Sequence, residues 1–460
     1  DNPLVARLAV PESTTQIAGL SLYYAGEQKG YLLASELNKN RFWVYERLNN
    51  ELIADFAINA HNQIDAVEHT EAFAVTNISL NATFPQGLLI VQDNYNPGFA
   101  ANYKFIAWER LAQELNLVTD SSFDPSQLGF LKPQVQTVQA TVETAPVAAS
   151  GDAADDLAIW VHPQDPALST VIGTQKKGGL VVYDLQGQQL QYLAEGRLNN
   201  VDLRDQFPLG SETITLVAAS NRSNNQIALY QVDPVTRHLV ALATRPITVG
   251  LKREAYGLCL YHDLKNHHYY VFVNDKTGSV EQWQLFANDH NQVEGRLVRQ
   301  FSVGSQTEGC VVDDVQAYLF IGEENVAIWR YSADPQADET RIAVDTTRGG
   351  HLTADIEGLT LYQGEQHHGY LLASSQGNNQ FNLYNRTQPH HYLGSFRIGA
   401  NAQIDGVADT DGIEAVSVPL GRHFPSGLFA VQDGRNPPEN QNFKLIPWEA
   451  IADQFHLLKK

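Results

Sequence analysis

The sequence predicts an all-β protein: a six-bladed β-propeller preceded by a partial, propeller-like copy of itself. Three observations lead there. Short strands rich in β-branched and aromatic residues alternate with Gly, Asn and Asp turns along the chain. Their aromatic ends fall at Tyr183, Tyr230, Trp283, Trp329 and Tyr384, at separations of 47, 53, 46 and 55 residues, the spacing of blades with about four short strands each. Residues 17–45 return at 356–384, an offset of 339 that becomes 340 from Asp65 over Asp405 to Trp108 over Trp448, which marks an internal duplication.

Each element has its own reason. A lone four-stranded sheet has two faces to cover and two open edges, and radial stacking covers the faces. A two-sheet sandwich has no cause to repeat in phase with units of this length. The expected strands include GGLVVYDL (178–185), TITLVAAS (213–220), NQIALYQV (225–232), YYVFVN (269–274), SVEQWQLF (279–286), NVAIWRY (325–331), YLLASS (370–375) and QFNLYNR (380–386). Helix is expected only in IAWERLAQEL (106–115) and IPWEAIADQFHLL (446–458), where apolar residues take helical spacing and acids come early. Residues 119–130 read as a linker between a first domain, 1–118, and a second, 131–460. The alternation in VQTVQATVETAPV (135–147) predicts a strand that fastens the ring by completing its last blade. Residues 1–118 supply about two blades, too few to close a ring, and read as the end of a truncated upstream copy.

Composition narrows the function. The chain has 460 residues, 43% of them hydrophobic and 18% charged, as in folded globular proteins. Lys and Arg number 31 against 52 Asp and Glu, a net charge of −21, which excludes a broad nucleic-acid or anionic-membrane surface. Two cysteines, Cys259 and Cys310, exclude a cysteine-rich zinc site and leave one bridge open.

The acids of the second domain gather at turns and strand ends: DAADDLAIW (152–160), NNVDLR (199–204), QTEGC (306–310), IGEEN (321–325), TADIEG (353–358), SSQGNN (374–379) and QIDGVADTDGIE (403–414). A propeller sends equivalent loops to one end of its axis, so carboxylates distant in sequence converge. Crowded carboxylates repel and take up protons, a cost that calcium removes because it accepts six to eight oxygen ligands. Zinc is a poorer match, with no HExxH pattern. A single Asp-Gly is ordinarily a turn. Lys176 and Lys177 in GTQKKGG, Arg222 in AASNRSNNQ and Lys276 in VNDKTGS each follow an apolar strand and are expected at the same mouth, where Arg grips phosphate as a fork and Lys as a point charge. GTQKKGG enters another strand and is not a P-loop. These features alone leave open a noncatalytic propeller that binds an anionic ligand or a protein.

The ordered set DAADDLAIWVHPQDP, KKGGLVVYDLQG, GRLNNVDLR, AASNRS, YGLCLYH, SQTEGCVVDD, EENVAIW, HLTADIEGLT, YLLASSQGNN, IDGVADTDGIE and VQDGRN followed by NQNFKLIPW resembles the β-propeller phytases across about residues 135–456. These are calcium-dependent phosphohydrolases of myo-inositol hexakisphosphate (phytate). The resemblance implies calcium roles for Asp156, Glu308, Asp355, Glu357, Gln376 and Asp405, an acidic network that includes Glu323 and Asp411, and positions near the site for Asn200 and Asp202. It implies phosphate-binding roles for Lys176, Lys177, Arg222, Tyr256 and Lys276, with Lys176, Arg222, Tyr256 and Glu308 closest to the chemistry. It further implies several calcium ions, hydrolysis by metal-activated water with no covalent protein intermediate, phytate or calcium-phytate as partner, and secretion or a periplasmic location. The pattern departs from the family at Leu157, Thr277 and Glu414.

The first domain resembles the incomplete extra copy of dual-domain family members. Gln16 stands over Asp355, Ala18 over Glu357, Leu37 over Gln376 and Ala74 over Glu414, whereas Asp65 matches Asp405 and Glu71 keeps an acid over Asp411. It is expected to hold no catalytic site and to serve packing, substrate capture or self-association.

Overall fold

The computed structural model describes residues 16–26, 29–96, 98–125, 135–365 and 367–459. The chain is all-β, with many four-stranded sheets as a propeller requires, and it divides into two compact units, Asp1–Lys132 and Pro133–Lys460. Residues 1–15 of the expected first domain, 126–130 of the expected linker and 131–134 of the expected second domain lie outside the described residues.

In the second unit the described strands form six sheets, each an antiparallel meander from an inner to an outer strand. The inner strands are Ala154–Trp160, Leu198–Leu209, Leu258–Asp263, Thr307–Asp313, Ile356–Gln363 and Ile413–Val416. Each packs against the next, and Ile413–Val416 packs back against Ala154–Trp160. Both faces of a sheet are thereby covered, and every residue of Ala154–Trp160 is buried, its two aspartates included. The third strands carry the periodic aromatics. At Tyr183, Trp283, Trp329 and Tyr384 the pairing with the outer strand slips by one residue, a bulge that twists the outer strand away.

The N-terminal segment of this unit does more than complete the last sheet. Val142–Glu143 pairs antiparallel with Asn442–Pro447 of the sixth sheet, and Gln136–Gln139 adds a parallel fifth strand beside Tyr392–Gly399 of the fifth. Residues from the start of the unit thus hold two sheets at its end by backbone hydrogen bonds.

The first unit repeats the ending of the second. It has a four-stranded sheet, Ile17–Tyr24, Gly30–Glu36, Arg41–Glu46 and Leu52–Phe56, then a three-stranded one, Phe73–Thr76, Leu88–Asp93 and Asn102–Ala107, and the helix Trp108–Leu115. The second unit closes with the matching helix Trp448–Phe455. Tyr23 stacks on Trp108 at 3.9 Å between ring centroids as Tyr362 stacks on Trp448 at 3.7 Å. Lys104 is held by Asp65 and Asp93 as Lys444 is held by Asp405 and Asp433. What differs is the flank. Leu20 and Tyr103 are 58% and 65% exposed, whereas their counterparts Leu359 and Phe443 are 4% and 0% exposed beneath neighbouring sheets.

Cys259 and Cys310 form a disulfide, Cα–Cα 5.7 Å, that joins the inner strands of the third and fourth sheets across 51 residues. Constraining a loop of that length in the unfolded chain stabilises the fold by about 2–4 kcal/mol. The double substitution Cys259→Ser with Cys310→Ser is expected to lower the unfolding free energy by that amount in a urea titration. An unchanged midpoint would contradict this.

Candidate active site

The inner strands share a local irregularity at their N-terminal ends. Pairing with the second strand shifts between Ala154 and Leu157, Leu198 and Val201, Thr307 and Cys310, and Ile356 and Leu359. The residues inside these bulges are Asp155–Asp156, Asn199–Asn200, Glu308–Gly309 and Glu357–Gly358. A bulge interrupts the alternation of side chains and re-aims them, so four sheets each turn polar groups toward one end of the ring. The bulged backbones nearly touch. A Cβ on Gly309 would lie 2.0 Å from the Glu357 carbonyl oxygen, and one on Gly412 would lie 2.4 Å from Asp156 Cα. Only glycine permits that approach.

The carboxylates so gathered are buried. Ligand oxygens of Glu308, Glu324 and Glu357 all lie within 4.8 Å of one another. Asp155 is 1% exposed, and both of its carboxylate oxygens, with Glu357 Oε2 and Glu324 Oε1, accept no hydrogen bond among the described residues. Burial, then the charge of Glu308, raises Asp155 well above the carboxylate range. Burial, then Glu308 and Glu324, does the same to Glu357. Burial pushes Glu324 up to about 7, with Glu308 and Asp355 adding to it. Burial pushes Asp156 up to about 8, although the backbone N–H groups of Val201 and Leu157 and the amide of Asn200 favour its charged form. Glu308 and Asp411 are raised as well, both chiefly by burial.

The cations stand beside this cluster. Lys176 Nζ lies 2.7 Å from Asp152, 3.0 Å from Asp411 and 3.7 Å from Asp155. Its burial opposes the charge, but these three acids outweigh that and raise it. Gln376 Nε2 donates to the other oxygen of Asp411 at 2.6 Å. Arg222 donates through Nη1 to Asn199 Oδ1 at 2.8 Å and through Nε to Glu254 at 2.9 Å, with its guanidinium 5.3 Å from the Tyr256 ring centroid. Lys276 Nζ lies 4.2 Å from the same centroid. Asn199 Nδ2 donates to Glu308 Oε1 at 2.6 Å, linking arginine and acid through one amide. Lys176, Tyr256, Glu357, Gln376 and Asp411 line a common cavity of about 700 Å³.

The structure therefore brings together Asp156, Asn200, Glu308, Asp355, Glu357, Gln376 and Asp411 with Lys176, Arg222, Tyr256 and Lys276. Asp202, Glu323 and Asp405 have other partners, and Lys177 stands at the rim of the cavity, beside Gly151. Asp202 is bound by Arg204 at 2.9 Å and, with Asp314, Glu414 and the inward neighbour Asp156, lines a second cavity of about 280 Å³ between the inner strands. There burial pushes Asp314 up to about 6 against the pull of Arg204, and Glu414 is raised by burial and Asp202. Glu323 accepts hydrogen bonds from Ser305 at 2.6 Å and the Trp329 indole at 2.7 Å, and its neighbour Glu324 occupies the cluster instead. Asp405 is tied to Lys444, in the ion pair that the first unit repeats. Lys177 is exposed and donates to the Ser150 carbonyl at 2.6 Å. Asp155, Asn199, Glu254 and Glu324 were not legible as site residues. The doubled acids and amides DD, EE and NN were the available signal; DD and NN lie inside bulges, and Glu324 of EE lies in the turn after its strand.

Buried oxygens without donors, next to amide oxygens, fit a hard divalent cation such as calcium, which takes oxygen ligands. The sequence comparisons agree with the geometry. The family profile described as Phytase matches residues 2–130 and again 130–459. The chain belongs to the phytase family. It is 46% identical over 323 residues to the 3-phytase of Bacillus subtilis (strain 168), an alignment that covers 68% of this chain and 84% of that relative. The double match of the family profile coincides with the two units and with the stacked Tyr–Trp pairs that both contain.

Raised carboxylates make the cation-free fold sensitive to alkali. A folded-state value near 7 or 8 means that the native chain keeps protons which the unfolded chain loses near pH 4. That contribution is complete below the ordinary carboxylate range and disappears as pH rises through about 7 for Glu324 and about 8 for Asp156. With chelator present, the melting temperature is expected to fall between pH 5 and pH 8.5. The variants Glu324→Gln and Asp156→Asn should flatten that slope, and equal slopes in calorimetry would refute the assignment.

Proposed function

We propose that this protein is a calcium-dependent phytase whose second unit, a six-bladed propeller, hydrolyses phosphate monoesters of myo-inositol hexakisphosphate by direct attack of water. The observation that carries this reading is the meeting of hydrogen-bond-deficient carboxylates, Asp155, Glu324 and Glu357, with Glu308, Lys176, Arg222 and Tyr256 at one end of the sheets. Membership of the phytase family and the likeness to a 3-phytase support the substrate and place phosphomonoester hydrolysis first.

Asp155, Asp156, Glu308, Glu324, Asp355, Glu357, Gln376 and Asp411 are the residues that would hold calcium. When bound, calcium supplies Lewis-acid polarisation of phosphoryl oxygens and acidifies water. The chain does the rest. Arg222, fixed by Glu254 and Asn199, presents its guanidinium to the phosphate as an oriented fork. Lys176 keeps its proton and neutralises charge that develops on the phosphoryl oxygens. Burial, then Glu308, holds the Tyr256 phenol far above its ordinary range, so it remains a donor. Glu308, anchored at Oε1 by Asn199, is placed to accept within the site the proton that water releases on attack.

A chain of charge −21 meets a polyanion because the local field, not the total, decides. Calcium also accompanies phytate as a counterion, and calcium-phytate is the natural form of the substrate in this reading. The disulfide supports export to an oxidising compartment, where calcium is abundant. The first unit has Gln16, Ala18 and Leu37 where the second has Asp355, Glu357 and Gln376; its part is to pack or to self-associate through its uncovered flanks.

Phosphate release from phytate, an aryl phosphate and a nucleotide, by chelator-stripped protein with and without added calcium, tests the proposal. Activity restored by calcium and greatest on phytate is expected. Saturable phytate binding with no turnover at any calcium level would make it a binding protein. Glu308→Gln is expected to lower turnover by roughly 100-fold or more, the scale of a lost proton-handling group, with an unaltered circular dichroism spectrum. Near-wild-type turnover at limiting calcium would remove Glu308 from this role.

A further inference from the structure

The inner strands are tied to one another at the mouth, and the ties differ around the ring. Between the fifth and sixth sheets the Gly358 N–H donates to the Asp411 carbonyl at 2.7 Å. Between the sixth and the first the Gly412 N–H donates to the Asp155 carbonyl at 3.0 Å. Between the third and the fourth the contact is as close, since a Cβ on Gly257 would lie 2.0 Å from the Glu308 carbonyl oxygen. Yet the Gly257 N–H donates to Asn274 Oδ1 at 3.2 Å, and Asn274 Nδ2 in turn donates to the Glu308 carbonyl at 2.9 Å. A side-chain amide relays there what glycine and carbonyl do directly elsewhere.

One step further in, the disulfide supplies the tie. Cys310 is the first residue after its bulge to pair with the second strand. The other inner strands have Leu157, Val201, Leu258, Leu359 and Ile413 in that place, and all of them line the cavity of about 280 Å³ together with Cys310. Cys259 sits one residue deeper in its own strand, level with Ala158, Asp202 and Thr360 in theirs. Two of these reach across to the next strand. Asp202 accepts from the Leu260 N–H at 2.7 Å, and Thr360 Oγ1 accepts from the Ala415 N–H at 3.0 Å. Cys259 does the same by a covalent bond to Cys310, with Cα atoms 5.7 Å apart.

A crosslink that acts only by constraining the unfolded chain is indifferent to where in the fold it closes. This one closes three residues past Tyr256 and two past Glu308. On its other side Tyr256 is held by Ser220 Oγ, which donates to its carbonyl at 2.5 Å, and Glu308 is held by the amide of Asn199 at 2.6 Å. The crowded carboxylates of Glu308, Glu324 and Glu357 repel one another, and part of that load falls on the strand that carries Glu308. A covalent tie resists the load where a relayed hydrogen bond yields.

We propose that the Cys259–Cys310 bridge is a positioning element of the site: it fixes the Glu308 strand against the Tyr256 strand, so that the oxygen cage is formed before a divalent cation arrives. This rests on the calcium-dependent reading above and adds to it a residue pair that touches neither substrate nor cation. The test removes the bridge and keeps the packing. Cys259→Ala with Cys310→Val copies the buried Ala158 and Val201, which hold the corresponding places in the first and second sheets. Calcium affinity in calorimetry is expected to fall about tenfold, the scale of a lost support behind a metal ligand. The calcium needed for half-maximal phytate turnover should rise in step, while turnover in saturating calcium returns close to wild type because no ligand is gone. Cys259→Ser with Cys310→Ser should show the same shift. Leu229→Ala, a core truncation in the third strand of the second sheet, controls for lost stability and should bind calcium as wild type does. An equal shift in that control, a shift in only one of the two cysteine pairs, or no shift at all would overturn the proposal. A wild type that binds calcium but does not turn over phytate would overturn the phytase reading alone, and calorimetry would still decide the role of the bridge.

Discussion

Carboxylates do not crowd together in a protein interior unless the backbone forces them to. Here the forcing element is contact between bulged inner strands. Gly309 leaves room for the Glu357 carbonyl, and the Gly412 N–H donates to the Asp155 carbonyl at 3.0 Å. Side chains launched from such close backbones have nowhere to separate, so Glu308 and Glu357 share one small volume, which Glu324 enters from the turn after Glu323. The price is electrostatic, and it appears as proton affinities raised by burial and mutual repulsion. A fold that keeps so costly an arrangement gains from having an oxygen cage ready for a cation.

The two units separate what the fold needs from what the site needs. Both keep the Tyr–Tyr–Trp stack, with Tyr31 and Tyr370 each accepting a backbone hydrogen bond from the chain just beyond the helix, Val118 at 2.6 Å and Leu458 at 2.9 Å. Both keep a buried lysine between two aspartates. Such a pair is costly to break once built, since a lone buried charge loses its partner and cannot regain water. The first unit keeps a bulge between Ile17 and Gly19, with Ala18 inside it. The geometry that aims a carboxylate persists there without a carboxylate.

Strands were legible because alternation and turn residues are local, and Glu212–Asn221 or Gly369–Ser375 depart from expectation by only a residue or so. The kinds of residue at the mouth were legible too, since chains of acid-bearing turns must converge in a radial fold. Which neighbour turns inward was not. Period-two reasoning fails at a bulge, where two residues oppose one. It therefore distinguishes neither Asp155 from Asp156 nor Asn199 from Asn200, and it does not reach Glu324, which lies in the turn just past the strand that ends at Glu323. Asp405 has a partner that the sequence did not show. Its partner Lys444 lies 39 residues away, so an aspartate in a loop rich in acids concealed a structural ion pair. The bridge between Cys259 and Cys310 was equally hidden, because nothing local says that two inner strands from successive sheets lie side by side.

The second buried acidic group, Asp202, Asp314 and Glu414, shows how the same fold treats acids it does not use at the mouth. Arg204 binds the first two directly, and Leu203, Leu258, Val312, Leu361 and Ile413 surround the cavity they share with it. A resident guanidinium supplies the counter-charge, and the Leu260 N–H fills a further lone pair of Asp202 at 2.7 Å. At the mouth the basic groups are instead displaced to one side. Lys176 reaches Asp155 only at 3.7 Å, and Arg222 is held by Glu254 and Asn199 instead of by the cluster acids. The oxygens of Asp202 and Asp314 are closed by arginine and backbone, whereas Asp155, Glu324 and Glu357 keep oxygens that no donor among the described residues closes.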